Sequence, residues 1–251
     1  MAVTDDFRLA KDHQEAELNA GRLEPLRLAL VGIDGIGKSI LMKQVVNVIR
    51  HQFEYICHVE LEGVDRSRRS KQLEGLVAQN LCYPNGRSVG IDEGRQAWFV
   101  IRGKKILIII DDVDSEDEIS ELLTPNWCGD GSRLIITSSR QDWSQLIVHQ
   151  VPSLSEEASY QLLVTYLDEA VVRCIPQQLM LQVVDECDGL PLVLEIMGKY
   201  LRNKRDVDIW SGALKRLQTE DSIDGYSEET SSGRSFMLAV GVLQNWRRVY
   251  S

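Results

Sequence analysis

Two glycines separated by four residues and followed at once by Lys and Ser make Gly32-Ile33-Asp34-Gly35-Ile36-Gly37-Lys38-Ser39 the stretch whose chemistry is most legible. Glycines permit backbone angles that a side chain forbids, so consecutive N–H groups can turn inward around phosphate oxygens. Lys38 would neutralise the β and γ phosphates of a nucleotide, and Ser39 would offer its hydroxyl to Mg²⁺. A helix opening at this point adds the positive end of its dipole to the same anion. A second stretch, Ile106-Leu107-Ile108-Ile109-Ile110-Asp111-Asp112, ends an apolar run in paired acids. Asp111 would hold Mg²⁺ through water, and Asp112 could orient or deprotonate an attacking water. The same pair could instead cap the following helix, a part that Asp114 to Glu118 could also fill. Third, Arg140 sits just beyond the end of a strand-like run, where it could reach a γ-phosphate or simply stand exposed in a loop.

These residues need elements to hold them. Leu26-Arg27-Leu28-Ala29-Leu30-Val31 reads as a strand buried on both faces. From Ile40 to Arg50 there is no Gly or Pro, and Leu41, Val45 and Val48 recur at helical spacing while Met42, Val46 and Ile49 widen the stripe. Strand, glycine loop and helix thus occur in the order a phosphate loop requires. Tyr55 to Leu61 reads as a second strand, Leu73 to Leu81 as a helix and Tyr83-Pro84-Asn85-Gly86 as a turn. The run ending at Asp111 is a central strand, expected beside the loop strand with its acids at the carboxyl end, where ligands collect in parallel α/β sheets. Ser132 to Thr137 is a third strand of buried type, entered from Gly129-Asp130-Gly131 and left through Ser138-Ser139-Arg140. Strands alternating with helical segments predict a doubly wound parallel sheet.

Near Pro152 the pattern changes to helices alone. Ser155 is a good cap, with Glu156 and Glu157 in the first turn. Pro176 opens another helix carrying Leu179, Val183 and Cys187; Gly189 stops it. Pro191 begins the next, whose Leu190, Leu194, Met197 and Leu201 form one stripe. A fourth helix carries Ile209, Trp210, Ala213, Leu214 and Leu217. Four segments are therefore expected: a polar amino-terminal tail over 1–25, with at most a short helix from Leu9 to Ala20; a nucleotide-binding α/β domain over 26–153; a small all-α subdomain over 154–217; and a flexible tail over 218–251 that includes the short apolar piece Phe236 to Leu243.

The totals narrow the function classes. With 251 residues, 43% of them apolar, a sizeable core is available. A net charge of −10 argues against general affinity for nucleic acid or anionic membrane. Arg66, Arg68, Arg69 and Lys71 form a dense basic cluster that reads as a solvated loop or helix start, since it lacks the interleaved aromatics of a nucleic-acid platform. Five widely spaced cysteines without a Cys-x-x-Cys pair suggest neither a disulfide scaffold nor a zinc site. No apolar run approaches a membrane span and no leader is evident, so a reduced, cytoplasmic setting is the expectation.

Taken in order, these motifs resemble the NB-ARC nucleotide switch of plant disease-resistance proteins, a branch of the signal-transducing P-loop NTPases. Gly32 to Ser39 is similar to that family's phosphate loop, Lys104 to Asp114 to its second nucleotide motif, and Gly131 to Arg140 to the strand and arginine that follow. Val151 to Ala158 resembles the entry to the first helical subdomain, and Gly189-Leu190-Pro191-Leu192 the Gly-Leu-Pro-Leu motif. The ending Asp111-Asp112-Val113-Asp114 looks more like the branch that carries an amino-terminal TIR domain. Departures are visible too. Ile40 stands where the family usually has Thr, Arg140 comes one residue late, and nothing resembles the second helical or winged-helix subdomain or the leucine-rich repeats. The chain thus looks like a truncated receptor.

The resemblance implies a P-loop NTPase core followed by an all-α subdomain, in which ADP with Mg²⁺ holds a closed state and exchange for ATP permits opening. It implies nucleotide contacts from Gly32, Gly35, Ile36, Gly37, Lys38, Ser39, Ile40, Arg140 and Pro191, the last against adenine or ribose. Metal contacts would come from Ser39 and Asp111, and Asp112 would serve at most a slow ATPase. The implied partners are other immune receptors or signalling proteins, not nucleic acid. Alternatives are an ordinary P-loop ATPase or kinase, and an interaction protein that keeps the fold without the nucleotide; intact Lys38, Ser39, Asp111 and Asp112 count against the second.

Overall fold

A computed structural model of the chain describes residues 25–61, 63–65, 68–89, 99–124, 128–218 and 241. The expected amino-terminal tail and helix, and the expected flexible tail over 218–251 with its apolar piece Phe236 to Leu243, lie outside the described residues apart from Pro25, Gln218 and Gly241. The described residues form two compact units, one of residues 25–32 and Lys38–Gln150, the other of Ile33–Gly37 and residues 151–218.

In the first unit, β1 (Leu26–Val31) leads through the glycine loop to α1 (Lys38–Ile49), then to β2 (Tyr55–Glu60), α2 (Arg69–Asn80), β3 (Leu81–Cys82), β4 (Ile106–Asp111), a 3-10 segment (Glu116–Leu123), β5 (Arg133–Ser138) and β6 (Ile147–Gln150). The six strands form one sheet in the order β3-β2-β4-β5-β1-β6. All pairs are parallel except the short β2–β3 hook, which is antiparallel. Ile106 to Ile110 of β4 are each no more than 1% exposed. Burial of side chains of this size stabilises the fold by about 1.5–3 kcal/mol apiece, which is why this run can only be a central strand.

The acid-bearing strand does not run beside the loop strand: β5 lies between β4 and β1 and pairs with both. Leu134, Ile135 and Ile136 are buried to 2% exposure or less, so β5 is as suited to the sheet interior as β4. The buried face of α1 is Met42, Val45 and Ile49, whereas Val48, expected on the core stripe, is 66% exposed because the buried stripe runs through Met42 and Ile49, one position on from Leu41 and Val48. Arg69, read as part of a solvated cluster, is 4% exposed at the start of α2, although its neighbour Arg68 is exposed as expected.

The second unit is helical: α3 (Glu156–Tyr166), α4 (Glu169–Cys174), α5 (Gln177–Glu186), α6 (Pro191–Leu201) and α7 (Val207–Gln218). The Ser155 hydroxyl accepts the Ala158 N–H at 3.3 Å and caps α3 as its residue type requires. Pro191 occupies the first turn of α6, where its missing N–H has no intrahelical role. Leu190, Leu194, Met197 and Leu201 are fully buried and make α6 the spine of this unit. From α7, Trp210, Ala213 and Leu217 are buried, while Ile209 is left at the surface. Among the described residues no helix is long and apolar enough to cross a membrane.

Candidate functional site

The carboxyl edge of the sheet gathers the chemistry of the first unit. Because β5 separates β1 from β4, its last residues, Thr137, Ser138 and the following Ser139, fall between the loop that leaves β1 and the acids that end β4. The Gly32 N–H donates to the Ser138 carbonyl at 3.1 Å, tying the start of the loop to β5. The Lys38 ammonium, 9% exposed, donates to the Gly32 carbonyl at 2.7 Å and to the Ser139 hydroxyl at 3.3 Å. The Ser39 hydroxyl donates to Asp111 Oδ1 at 2.9 Å. Lys38, Ser39 and Asp111, read as partners from sequence, are thus brought together by α1 and β4.

Thr137 joins the two acids. Its hydroxyl donates to Asp111 Oδ1 and accepts the Asp112 N–H at 3.0 Å, and its carbonyl accepts the Val113 N–H at 2.9 Å. Thr137 and Ser139 were not singled out from the sequence, although three consecutive hydroxyl residues at the end of a buried strand were a signal for them. The Asp111 carboxylate therefore receives two hydroxyl donors, which fixes its orientation. Asp112 sits at φ 68°, a left-handed conformation, at the end of β4, and its side chain is about half exposed.

Gly35 and Gly37 have φ of +84° and +98°, so both depend on glycine. A Cβ on Gly35 would meet Leu192 Cβ at 2.8 Å, and the Leu192 N–H donates to the Gly35 carbonyl at 3.2 Å. Pro191 lies alongside, its Cγ 3.7 Å from the place of a Cβ on Gly37. Ile36 is buried at 6% exposure, and its N–H bonds the Ile33 carbonyl at 3.4 Å. A glycine loop with positive φ that leads into the start of a helix is the kind of backbone that can receive a phosphate. Ser39 beside Asp111 is the pair of hard oxygens that suits Mg²⁺. Among the described residues no group of three or more His, Cys, Asp or Glu is arranged to hold a metal unaided. Mg²⁺ at nucleotide sites commonly needs only one or two protein oxygens besides phosphate and water, so the residues present fit it.

Two of the site residues stand differently. The Arg140 guanidinium is engaged by Asp142 in a two-point pair, Nε to Oδ1 at 2.6 Å and Nη2 to Oδ2 at 2.8 Å, on the surface. This pair pushes Arg140 up and holds the Asp142 carboxyl below the usual carboxylate range. Ile40 is 61% exposed and brings no hydroxyl to the loop. Ile40→Thr, which restores one, is expected to tighten nucleotide binding by up to about tenfold, from the 0.5–1.5 kcal/mol net value of a hydrogen bond. Calorimetric titration of both forms with ADP checks this.

Comparison with known proteins bears on the family of the chain. The family described as "NB-ARC domain" matches residues 13–172. Disease resistance protein RPV1 of Vitis rotundifolia is 28% identical over 215 residues, covering 78% of this chain and 15% of its own length. TMV resistance protein N of Nicotiana glutinosa is 26% identical over 206 residues, covering 76% and 18%. A probable disease resistance protein of Arabidopsis thaliana is 30% identical over 199 residues, covering 75% and 11%. The chain therefore spans less than a fifth of the length of these relatives. A chain in the structure of Drosophila ORC bound to DNA has a TM-score of 0.47 at 11% identity, covering 89% of this chain and 77% of that one, a likeness too slight to carry an argument. With a glycine cradle, a buried lysine and a serine paired to a strand-end aspartate, and with the family match running through all of them, the chain belongs to the NB-ARC family.

Proposed function

We propose that the chain binds ADP and ATP with Mg²⁺ and forms the core of a nucleotide switch that acts in plant defence signalling. The observation that carries this reading is the meeting of Lys38, Ser39, Asp111 and Ser139 at one edge of the sheet. In it, residues 26–153 are the nucleotide-binding domain and 154–217 the helical subdomain. The backbone from Gly32 through Gly35, Ile36 and Gly37 to Ile40 wraps the phosphates, and Lys38 neutralises them. Ser39 and Asp111 hold Mg²⁺, which supplies charge neutralisation at the phosphates when bound. Asp112, half exposed beside them, orients the attacking water and accepts its proton. Arg140 reads the terminal phosphate only after leaving Asp142. Pro191, at the first turn of α6 and close to Gly37, offers its ring to adenine or ribose.

Other immune receptors or signalling proteins are the partners of this reading, and the cytoplasm its setting. The defence role rests on what the relatives are named for, and the chemistry rests on the residues. Hydrolysis is expected to be slow and to serve switching. Single-turnover release of phosphate from ATP checks it: Asp112→Asn should slow release by about 10²-fold, the usual contribution of a positioned base. Turnover at the rate of a metabolic enzyme would contradict the switch, and unchanged release in Asp112→Asn would remove that residue from the chemistry.

A further inference from the structure

Among the described residues of the first unit, Arg69, 4% exposed, is the most enclosed cation that the nucleotide site does not use. Its Nε donates to the Val64 carbonyl at 3.2 Å. Its Nη1 donates to the Asp112 carbonyl at 2.9 Å and to Asp114 Oδ2 at 3.1 Å. Its Nη2 donates to the Leu61 carbonyl at 3.1 Å and to Asp112 Oδ2 at 3.5 Å. Glu118 adds a third carboxylate, 3.6 Å from Nη1. A guanidinium with five donors in a rigid fork can meet so many acceptors at once; an ammonium cannot.

Two of those bonds go to one residue. Asp112 leaves β4 in a left-handed conformation, φ 68°, which non-glycine residues adopt only when the surroundings impose it. Its N–H is taken by Thr137 from one side, and its carbonyl and carboxylate are taken by Arg69 from the other. The Asp112 side chain as a whole remains 50% exposed, so the grip orients it without enclosing it.

We infer that Arg69 is a positioning residue: it holds Asp112 in its left-handed turn by the backbone carbonyl and the carboxylate, and so sets the direction from which that carboxylate meets water. The inference rests on the role given to Asp112 above. Arg69 touches neither phosphate nor metal in this account, so it acts on the turn and not on nucleotide affinity. Through the Leu61 and Val64 carbonyls it also ties the turn after β4 to the chain leaving β2.

The test is Arg69→Lys, which keeps the charge and loses the fork, with Arg69→Gln read in its place should the first not fold. Hydrogen exchange of the nucleotide-free protein is the first readout. The variant should lose protection at residues 112–115 by about tenfold, with residues 106–110 of β4 unchanged, as for an opening confined to one turn. The second readout is a cycle with Asp112→Asn in single-turnover hydrolysis. Arg69→Lys alone should slow the reaction by about tenfold, leave ADP affinity within about threefold, and add less than about twofold to Asp112→Asn, since both changes act through one carboxylate. Unchanged protection at 112–115, a loss spread evenly along β4, or two rate losses that multiply would overturn the inference. An Asp112→Asn protein that hydrolyses like the wild type would instead overturn the role of Asp112, and the exchange result would still decide whether Arg69 holds the turn.

Discussion

Replacing Lys38 with alanine is expected to abolish nucleotide binding by this chain. The ammonium is almost fully enclosed and already donates to the Gly32 carbonyl and the Ser139 hydroxyl, so phosphate oxygens would meet a donor held in place and largely stripped of water. Hydrogen bonds to charged groups contribute about 1.5–3 kcal/mol each. Two of them, to the β and γ phosphates of ATP, amount to about 10²–10⁴-fold in affinity. Packing of α1 should survive, because Met42, Val45 and Ile49 carry its buried face. A ligand at a hundred times its dissociation constant adds about 2.7 kcal/mol to the wild type, or roughly 5–10 °C of melting temperature at this size. The variant should show no such rise with millimolar ATP. An equal rise would mean that the nucleotide is held elsewhere.

Gly189→Ala is expected to have the largest effect on the fold. Gly189 sits at φ +67°, and a Cβ there would lie 2.4 Å from the Leu154 carbonyl oxygen and 3.0 Å from its nitrogen. The approach is this close because the Leu154 N–H donates to the Gly189 carbonyl at 2.9 Å, joining the entry of the helical unit to the turn before α6. Left-handed strain of about 1–2 kcal/mol and overpacking of about 1–3 kcal/mol together give roughly 2–5 kcal/mol of destabilisation. Gly212→Ala is the control: nothing lies within 4 Å of its Cβ position in α7, and a gain of about 0.5–1 kcal/mol is expected from helix propensity. Thermal melts of the two variants should move in opposite directions. A Gly189→Ala protein as stable as the wild type would show that the turn can relax away from Leu154.

Much of this architecture could be read from the sequence because the relevant signals are strong and local. The apolar runs of β1, β4 and β5 are nearly continuous, as strands covered on both faces must be, and the caps Ser155, Gly189 and Pro191 mark helix ends by backbone chemistry. What escaped was set by distant or weak terms. β6 is a four-residue edge strand with three exposed positions, so Ile147 to Gln150 carries no burial pattern. The six-residue α4 is too short for a periodic stripe. β3 begins at Leu81, where the apolar sequence reads as the continuation of α2. The order of β4, β5 and β1 depends on strand pairing between segments far apart in the chain, and with it went the places of Thr137 and Ser139. Arg69 was missed for a related reason. A charge beside other charges reads as solvated unless its partners are known, and Asp112, Asp114 and Glu118 lie more than forty residues away in sequence.

The central claim is that this chain holds a nucleotide at the loop from Gly32 to Ser39. Calorimetric titration of ADP and ATP into the wild-type protein, with and without Mg²⁺ and alongside Lys38→Ala, tests it most directly. Saturable binding at one site per chain, tightened by Mg²⁺ and lost in Lys38→Ala, is the result predicted. No saturable binding up to millimolar nucleotide, or binding that Lys38→Ala leaves intact, would contradict it.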